Sequence, residues 1–223
     1  MKATLYSHTT ALGTIALKNI DASMGVVGGI LTPNGSYFRY QRIFRDCHGT
    51  HNFEITDLGL NIQLENGCFL HASGGYSIHD IPEFPDEITV HVVGSNYFNI
   101  FSSLTEDVLP FVHSVWTTIT VETKMDLEEE LEKEIRLFRR KKQFSHHPYA
   151  NYRFYALARD ERNDDVLFYA IGKGNIKFVV IHLTWIGQAE TDPTWPSANW
   201  YLNWEEFAER MEEDAEGWEE EEE

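Results

Sequence analysis

Residues 153–158, 166–171 and 177–185 are apolar, β-branched and aromatic runs too short to stand as separate helices, and only tight turns join them. The first turn is Asp160-Glu161-Arg162-Asn163-Asp164-Asp165 and the second is Gly172-Lys173-Gly174-Asn175. A parallel crossover takes about a dozen residues or more, so strands joined this closely pair antiparallel. The last third therefore reads as a β-meander. A helix closes it: Asn203 stands at a cap position with Glu206 three residues on, and Trp204, Phe207, Ala208 and Met211 form the buried face.

The first hundred residues read as mostly β with one helix. Leu58, Leu60, Ile62 and Leu64 alternate with Gly59, Asn61 and Gln63, which predicts a strand with one buried face. Asn66-Gly67 is a hairpin signal, and residues 68–71 should be the returning strand. Ile88, Val90 and Val92 alternate with Thr89 and His91, while residues 24–31 form a glycine-interrupted apolar strand. Tyr37, Tyr40, Ile43 and Phe44 repeat at helical spacing, predicting an amphipathic helix over 34–46. Residues 96–122 carry no clean period. Over 126–142 the stripe of Leu127, Leu131, Ile135 and Phe138 predicts a second helix, acidic at its start and basic at its end, with Glu129–Lys133 and Glu132–Arg136 as supporting pairs.

The fold class expected is α+β: antiparallel sheets with packed helices, and a meander plus helix at the carboxy terminus. Residues 1–122 form a β-rich region with one packed helix, 123–148 a charged bridging helix, 149–215 the meander with its closing helix, and 216–223 an acidic tail.

Charge narrows the partner. The formal charge is −18, of which −11 falls within residues 205–223, leaving −7 for the rest. An acidic chain is a poor ligand for phosphate backbones, so no nucleic acid is expected, and the basic run from Arg136 to Lys142 is explained by the helix dipole. No apolar run approaches the roughly 18 residues of a membrane span, and no signal-peptide pattern opens the chain, so no membrane and a cytoplasmic location are expected. Two cysteines, Cys47 and Cys68, do not make a disulfide scaffold.

The motifs for chemistry fail on spacing. Cys47, His48, His51, Cys68 and His71 are zinc-type residues, but Cys68 and His71 sit three apart on a strand and should face opposite ways. His146-His147 reads as a solvated helix end. His79-Asp80 is an isolated pair. Gly172-Lys173-Gly174-Asn175 lacks the rest of a phosphate loop, and no Gly-x-Ser-x-Gly or His-Glu-x-x-His is present. No catalytic, metal or cofactor residue is assigned, and no cofactor is expected.

The remaining unusual stretch is aromatic: Trp185, Trp195, Trp200, Tyr201 and Trp204, interspersed with Glu190 and Asp192. His182-Leu183-Thr184-Trp185-x-Gly187-x-x-Glu190, then Pro193-x-Trp195-Pro196, then Trp204-Glu205-Glu206-Phe207-x-x-Arg210-Met211, is similar to the carboxy-terminal signature of an uncharacterised bacterial protein family. Met24-Gly25 and Pro33-Asn34 look like that family's amino-terminal half. The resemblance implies no activity; by analogy, such members resemble small acidic proteins found beside bacterial toxins. The leading expectation is thus an acidic immunity-type protein that binds and neutralises a toxin, a basic one by charge. Its partner-binding candidates are Asp160, Glu161, Asp164, Asp165, Glu190, Asp192, Trp195 and Trp200. The alternatives are a hydrolase-like enzyme using carboxylates and histidines, and a structural or scaffold subunit.

Overall fold

The computed structural model describes residues 1–46, 57–101, 110–144 and 147–221, with side chains as far as 217. Cys47, His48, His51 and His146 lie outside the described residues. Two compact units emerge, Met1–Leu109 and Pro110–Glu223. The division falls ahead of the boundary expected at 122, because a strand before the charged helix pairs into the second unit's sheet. The fold is α+β, and among the described residues every strand pairs antiparallel.

The first unit is one seven-stranded sheet in the order β5-β4-β1-β2-β3-β7-β6. Its strands are β1 Lys2–Ser7, β2 Thr10–Asp21, β3 Val26–Pro33, β4 Leu60–Leu64, β5 Phe69–Leu70, β6 Ala72–His79 and β7 Thr89–Ser95. Alternation works as expected: Ile62, Leu64, Ile88, Val90 and Val92 are buried, as are Leu5, Ile15, Leu17, Val27 and Leu31 on the same core. The β4–β5 hairpin turns through Gly67, whose φ of 91° suits a residue without Cβ. Gly29 explains the glycine in β3 differently. A Cβ there would lie 2.0 Å from the Ala16 carbonyl oxygen of β2.

The helix expected over 34–46 is instead two short pieces, a 3-10 turn at Tyr37–Arg39 and α1 at Gln41–Asp46. Tyr37 and Phe44 are buried and stack at 5.3 Å, whereas Tyr40 and Ile43 are only half-buried. The tighter turn is held from outside. The buried Asp80 carboxylate accepts hydrogen bonds from Tyr37 Oη (3.0 Å), Gln41 Nε2 (2.8 Å) and Arg45 Nε (2.9 Å). The unit also carries α2, Tyr97–Ile100, with Tyr97 fully buried.

The second unit is a five-stranded sheet in the order β12-β11-β10-β9-β8. Three strands form the expected meander: β9 Tyr152–Asp160, β10 Asp165–Gly172 and β11 Ile176–His182. Two others were not legible. β8, Trp116–Thr118, lies in the aperiodic 96–122 segment, and β12, Ser197–Tyr201, lies in what reads as an aromatic loop. The charged helix starts earlier than expected, as α3 Val121–Glu134, because the Thr120 side chain accepts the Thr123 N–H and caps it. It breaks at Ile135 (φ −86°, ψ 0°) and resumes as α4, Arg136–Arg140. That break moves Glu132 onto Arg139 instead of Arg136, while Glu129–Lys133 forms as expected at 3.0 Å. Thr120→Ala should cost about 1 kcal/mol, read by urea denaturation.

Helices cover both faces of this sheet. Strand register puts Phe178, Val180 and His182 on one face with Tyr169, Asn199 and Tyr201, and there α5, Trp204–Glu221, docks through Phe207 and Trp204. The opposite face carries Phe154, Phe168, Val179 and Trp200. It is covered by Phe138, His147 and Tyr149, which stack one on another. The α5 cap is the one expected, Asn203 Oδ1 accepting the Glu206 N–H, while Glu206 reaches back to Leu202 N at 2.7 Å. Among the described residues, no helix is long and apolar enough to cross a membrane.

Candidate functional site

The charged hairpin between β9 and β10 and the end of β11 meet at one end of the five-stranded sheet, because Asp165 is the register partner of His182 and His182 of Ser197. The acids of the hairpin part company there. Asp160 ends β9 on the α5 side and is 2% exposed. Its carboxylate takes bonds from three donors of Arg162: the backbone N–H at 2.9 Å, Nε at 3.0 and 3.2 Å, and Nη2 at 2.6 Å. Asp160, expected among the partner contacts, is thus buried and engaged within the fold. The same bonds push the Arg162 guanidinium pKa up.

Arg162 also turns toward α5. Its Nη1 donates to the Asp214 carbonyl at 3.4 Å, and Nη2 lies 3.7 Å from the Asp214 carboxylate. Asp214 is further held by Arg210 Nη2 at 2.7 Å and by Trp116 Nε1 at 3.2 Å. These groups line a cavity of about 80 Å³, completed by Asn163, Asp165, Val180, Asn199 and Tyr201. Burial raises the Tyr201 phenol pKa, so it remains a proton donor. Chemically the network fastens α5 to β8 and to the end of β9. Each of its two arginines is already committed to a carboxylate.

Further along the same edge of the sheet, Asp165 and His182 share the α5 face but meet the loop that follows β11. His182 Nδ1 lies 2.8 Å from Asp165 Oδ1, and the His182 ring faces Trp195 at 6.1 Å. Trp185 Nε1 donates to Asp164 Oδ1 at 3.1 Å. Trp185 is 48% exposed, Ile186 46% and Trp195 41%. Asp164, Asp165 and Trp195 are therefore brought together, with Glu161 exposed nearby on the hairpin. His182 and Trp185 join them without having been singled out as contacts.

The loop that displays these aromatics, 183–196, is tied down along its length. Glu134 Oε1, at the end of α3, accepts the N–H groups of Thr184 and Trp185, each at 2.8 Å. The Glu134 carbonyl accepts the Glu190 N–H at 2.9 Å, which gives Glu190 a backbone role. His147 donates from Nε2 to the Pro193 carbonyl at 2.9 Å while its Nδ1 accepts the Tyr149 N–H. Tyr149 Oη donates to the Pro196 carbonyl at 2.6 Å. Asp192 accepts from Thr194 N and Oγ1, which lowers its pKa and shapes the turn before Trp195. Burial raises the Glu134 pKa, with nearby Glu130 adding to it, against the lowering effect of its N–H donors.

Trp200 belongs elsewhere. It packs on the opposite face among Tyr149, Tyr152 and Phe154, with Lys177 Nζ 5.9 Å from its ring centroid. His147, expected to be a solvated helix end, is a stacked loop anchor. Cys68 is fully buried, and burial pushes its thiol pKa up, away from the thiolate that a metal or a nucleophile needs. Among the described residues, no three His, Cys, Asp or Glu side chains converge on a metal position. The comparisons with known proteins give no match to a family model, to a curated protein or to a solved structure.

Proposed function

We propose that the chain is an acidic interaction protein of the immunity type, which binds and neutralises a toxin through the 183–196 loop and the adjoining β9–β10 hairpin. The observation that carries this reading is the pairing of an anchored backbone with exposed Trp185, Ile186 and Trp195. Tryptophans in the centre of a contact patch supply most of the binding energy, and a loop already held in place loses little entropy on docking. Around them stand Glu161, Asp164 and Asp165, and α5 adds an exposed acidic face of Glu205, Glu209, Glu212, Glu213 and Glu216. That charge fits a basic protein and speeds its approach. The family resemblance of the same loop points the same way. A carboxylate–histidine enzyme is the weaker reading: Asp165–His182 borders the cavity, but Asp160 and Asp214 are occupied by arginines.

Co-expression with a toxin encoded beside it should rescue growth and give a complex on gel filtration; absence of both would remove the reading. Within such a complex, Trp195→Ala is expected to weaken binding by about 2 kcal/mol, roughly 30-fold, measured by surface plasmon resonance. A chain shortened at Glu216 should keep that affinity to within a few-fold, because the tail's contribution is electrostatic and screened by salt.

A further inference from the structure

On the solvent face of the first unit's sheet, two histidines from neighbouring strands stand close together. Register pairs Ser77 of β6 with His91 of β7, and His79 with Thr89. His79 and His91 are thus diagonal neighbours on one face, opposite to the buried Ile78, Val90 and Val92. Their ring centroids are 5.7 Å apart, with ring planes at 70°. Ser77 Oγ lies 2.7 Å from His79 Nε2, which brings a hydroxyl oxygen into the same cluster.

The space for this arrangement comes from β3. Gly28 is the register partner of His91, and a Cβ on it would come within 2.5 Å of His91 Cδ2. The imidazole therefore lies across the glycine, with its position fixed by backbone on that side. The Val90 carbonyl oxygen of β7, 2.7 Å from the same point, also leaves no room for a side chain here.

We propose that His79 and His91 form a two-histidine site for a borderline divalent transition ion, zinc, nickel or copper(II), with the Ser77 hydroxyl and solvent completing the shell. The geometry is close to what such an ion needs. With zinc–nitrogen bonds of about 2.1 Å and a tetrahedral angle, two imidazole centroids sit roughly 5 Å apart, within about 1 Å of the separation here. Imidazole suits these ions, whereas calcium and magnesium take oxygen ligands. With two protein side chains as main ligands, the site is an exchangeable one. Its effect on the fold would be to clip β6, the edge strand, to β7.

Isothermal titration of the full chain with Zn²⁺ and with Ni²⁺ tests the site. One equivalent should bind, and His79→Ala or His91→Ala should each weaken it by at least about 10-fold, the lower bound set even by outer-shell partners. Both side chains lie on the solvent face, and circular dichroism checks that the variants fold. A second measurement separates this site from the other histidines of the ten in the chain. Substoichiometric Cu²⁺ should broaden the ring-proton NMR signals of His79 and His91 before the rest. Unchanged binding in the doubly substituted chain, earlier broadening of other histidines, or no binding at all would each overturn the site.

Discussion

Glu134→Ala is expected to destabilise the second unit by about 3 kcal/mol and to release the Trp185 loop. The carboxylate is fully buried, and one of its oxygens receives both the Thr184 and the Trp185 N–H. Truncation leaves two buried donors without an acceptor, and each such group costs about 1–3 kcal/mol. All six tryptophans lie in this unit, so tryptophan emission during guanidinium unfolding reports its stability. Glu134→Gln provides the control. Its amide oxygen can accept the same two N–H groups, so it should stay within about 1 kcal/mol of wild type. The two chains should differ in pH dependence. Burial lifts the folded Glu134 pKa above its unfolded value. Its favourable contribution is therefore complete below the unfolded value and lost as pH rises through the folded one. Glutamine has no such slope, so Glu134→Gln should gain on wild type as pH is raised from about 4 to 7. If the proposed function holds, Glu134→Ala should also weaken toxin binding although it touches no partner.

Asp80→Ala should cost the first unit about 3 kcal/mol. Its side chain is 0% exposed and ends the bonds of Tyr37, Gln41 and Arg45. Removing one partner of a buried ion pair costs about 3–5 kcal/mol, and Arg45, 32% exposed, recovers part of this through solvent. Burial and the neighbouring carboxylate hold the Tyr37 phenol in its protonated, donating form, so it too loses its acceptor. Hydrogen exchange should show faster amide turnover in α1 and at the end of β6, while the amides of β1 and β2 are less affected. Equal acceleration throughout the sheet would contradict a local brace.

What the chain made legible follows from where its signals are local. Period-2 alternation at Leu60–Leu64 and around Val90 reports burial directly, and the short turns at 160–165 and 172–175 dictate antiparallel neighbours. β8 and β12 escaped because they are edge strands of three and five residues, with no room for a period to repeat. The charged run at 160–165 reads as a turn and does join β9 to β10, but composition does not divide its acids. Asp160 is buried on the α5 side beneath its bonds to Arg162; Asp165 shares that face but stays half-exposed beside His182, and Asp164 is exposed. Glu134 did leave a trace. It falls three residues after Leu131 and four before Phe138, on the apolar stripe of its helix, where a carboxylate has to find donors. The anchors His147 and Tyr149 left none, since their partners are carbonyls some 46 and 47 residues away.

The strand edges have a consequence for how this chain behaves when crowded. Each sheet ends in strands that offer a second chain little to pair with. β5 is two residues long and β8 three. β6 is bulged between Ala72 and Gly75, and β12 begins directly after Pro196, which has no N–H to donate. Open ladders of this kind, left long and flat, template aggregation. Here they are cut short, kinked or preceded by proline, so concentrated samples should remain free of strand-exchanged oligomers.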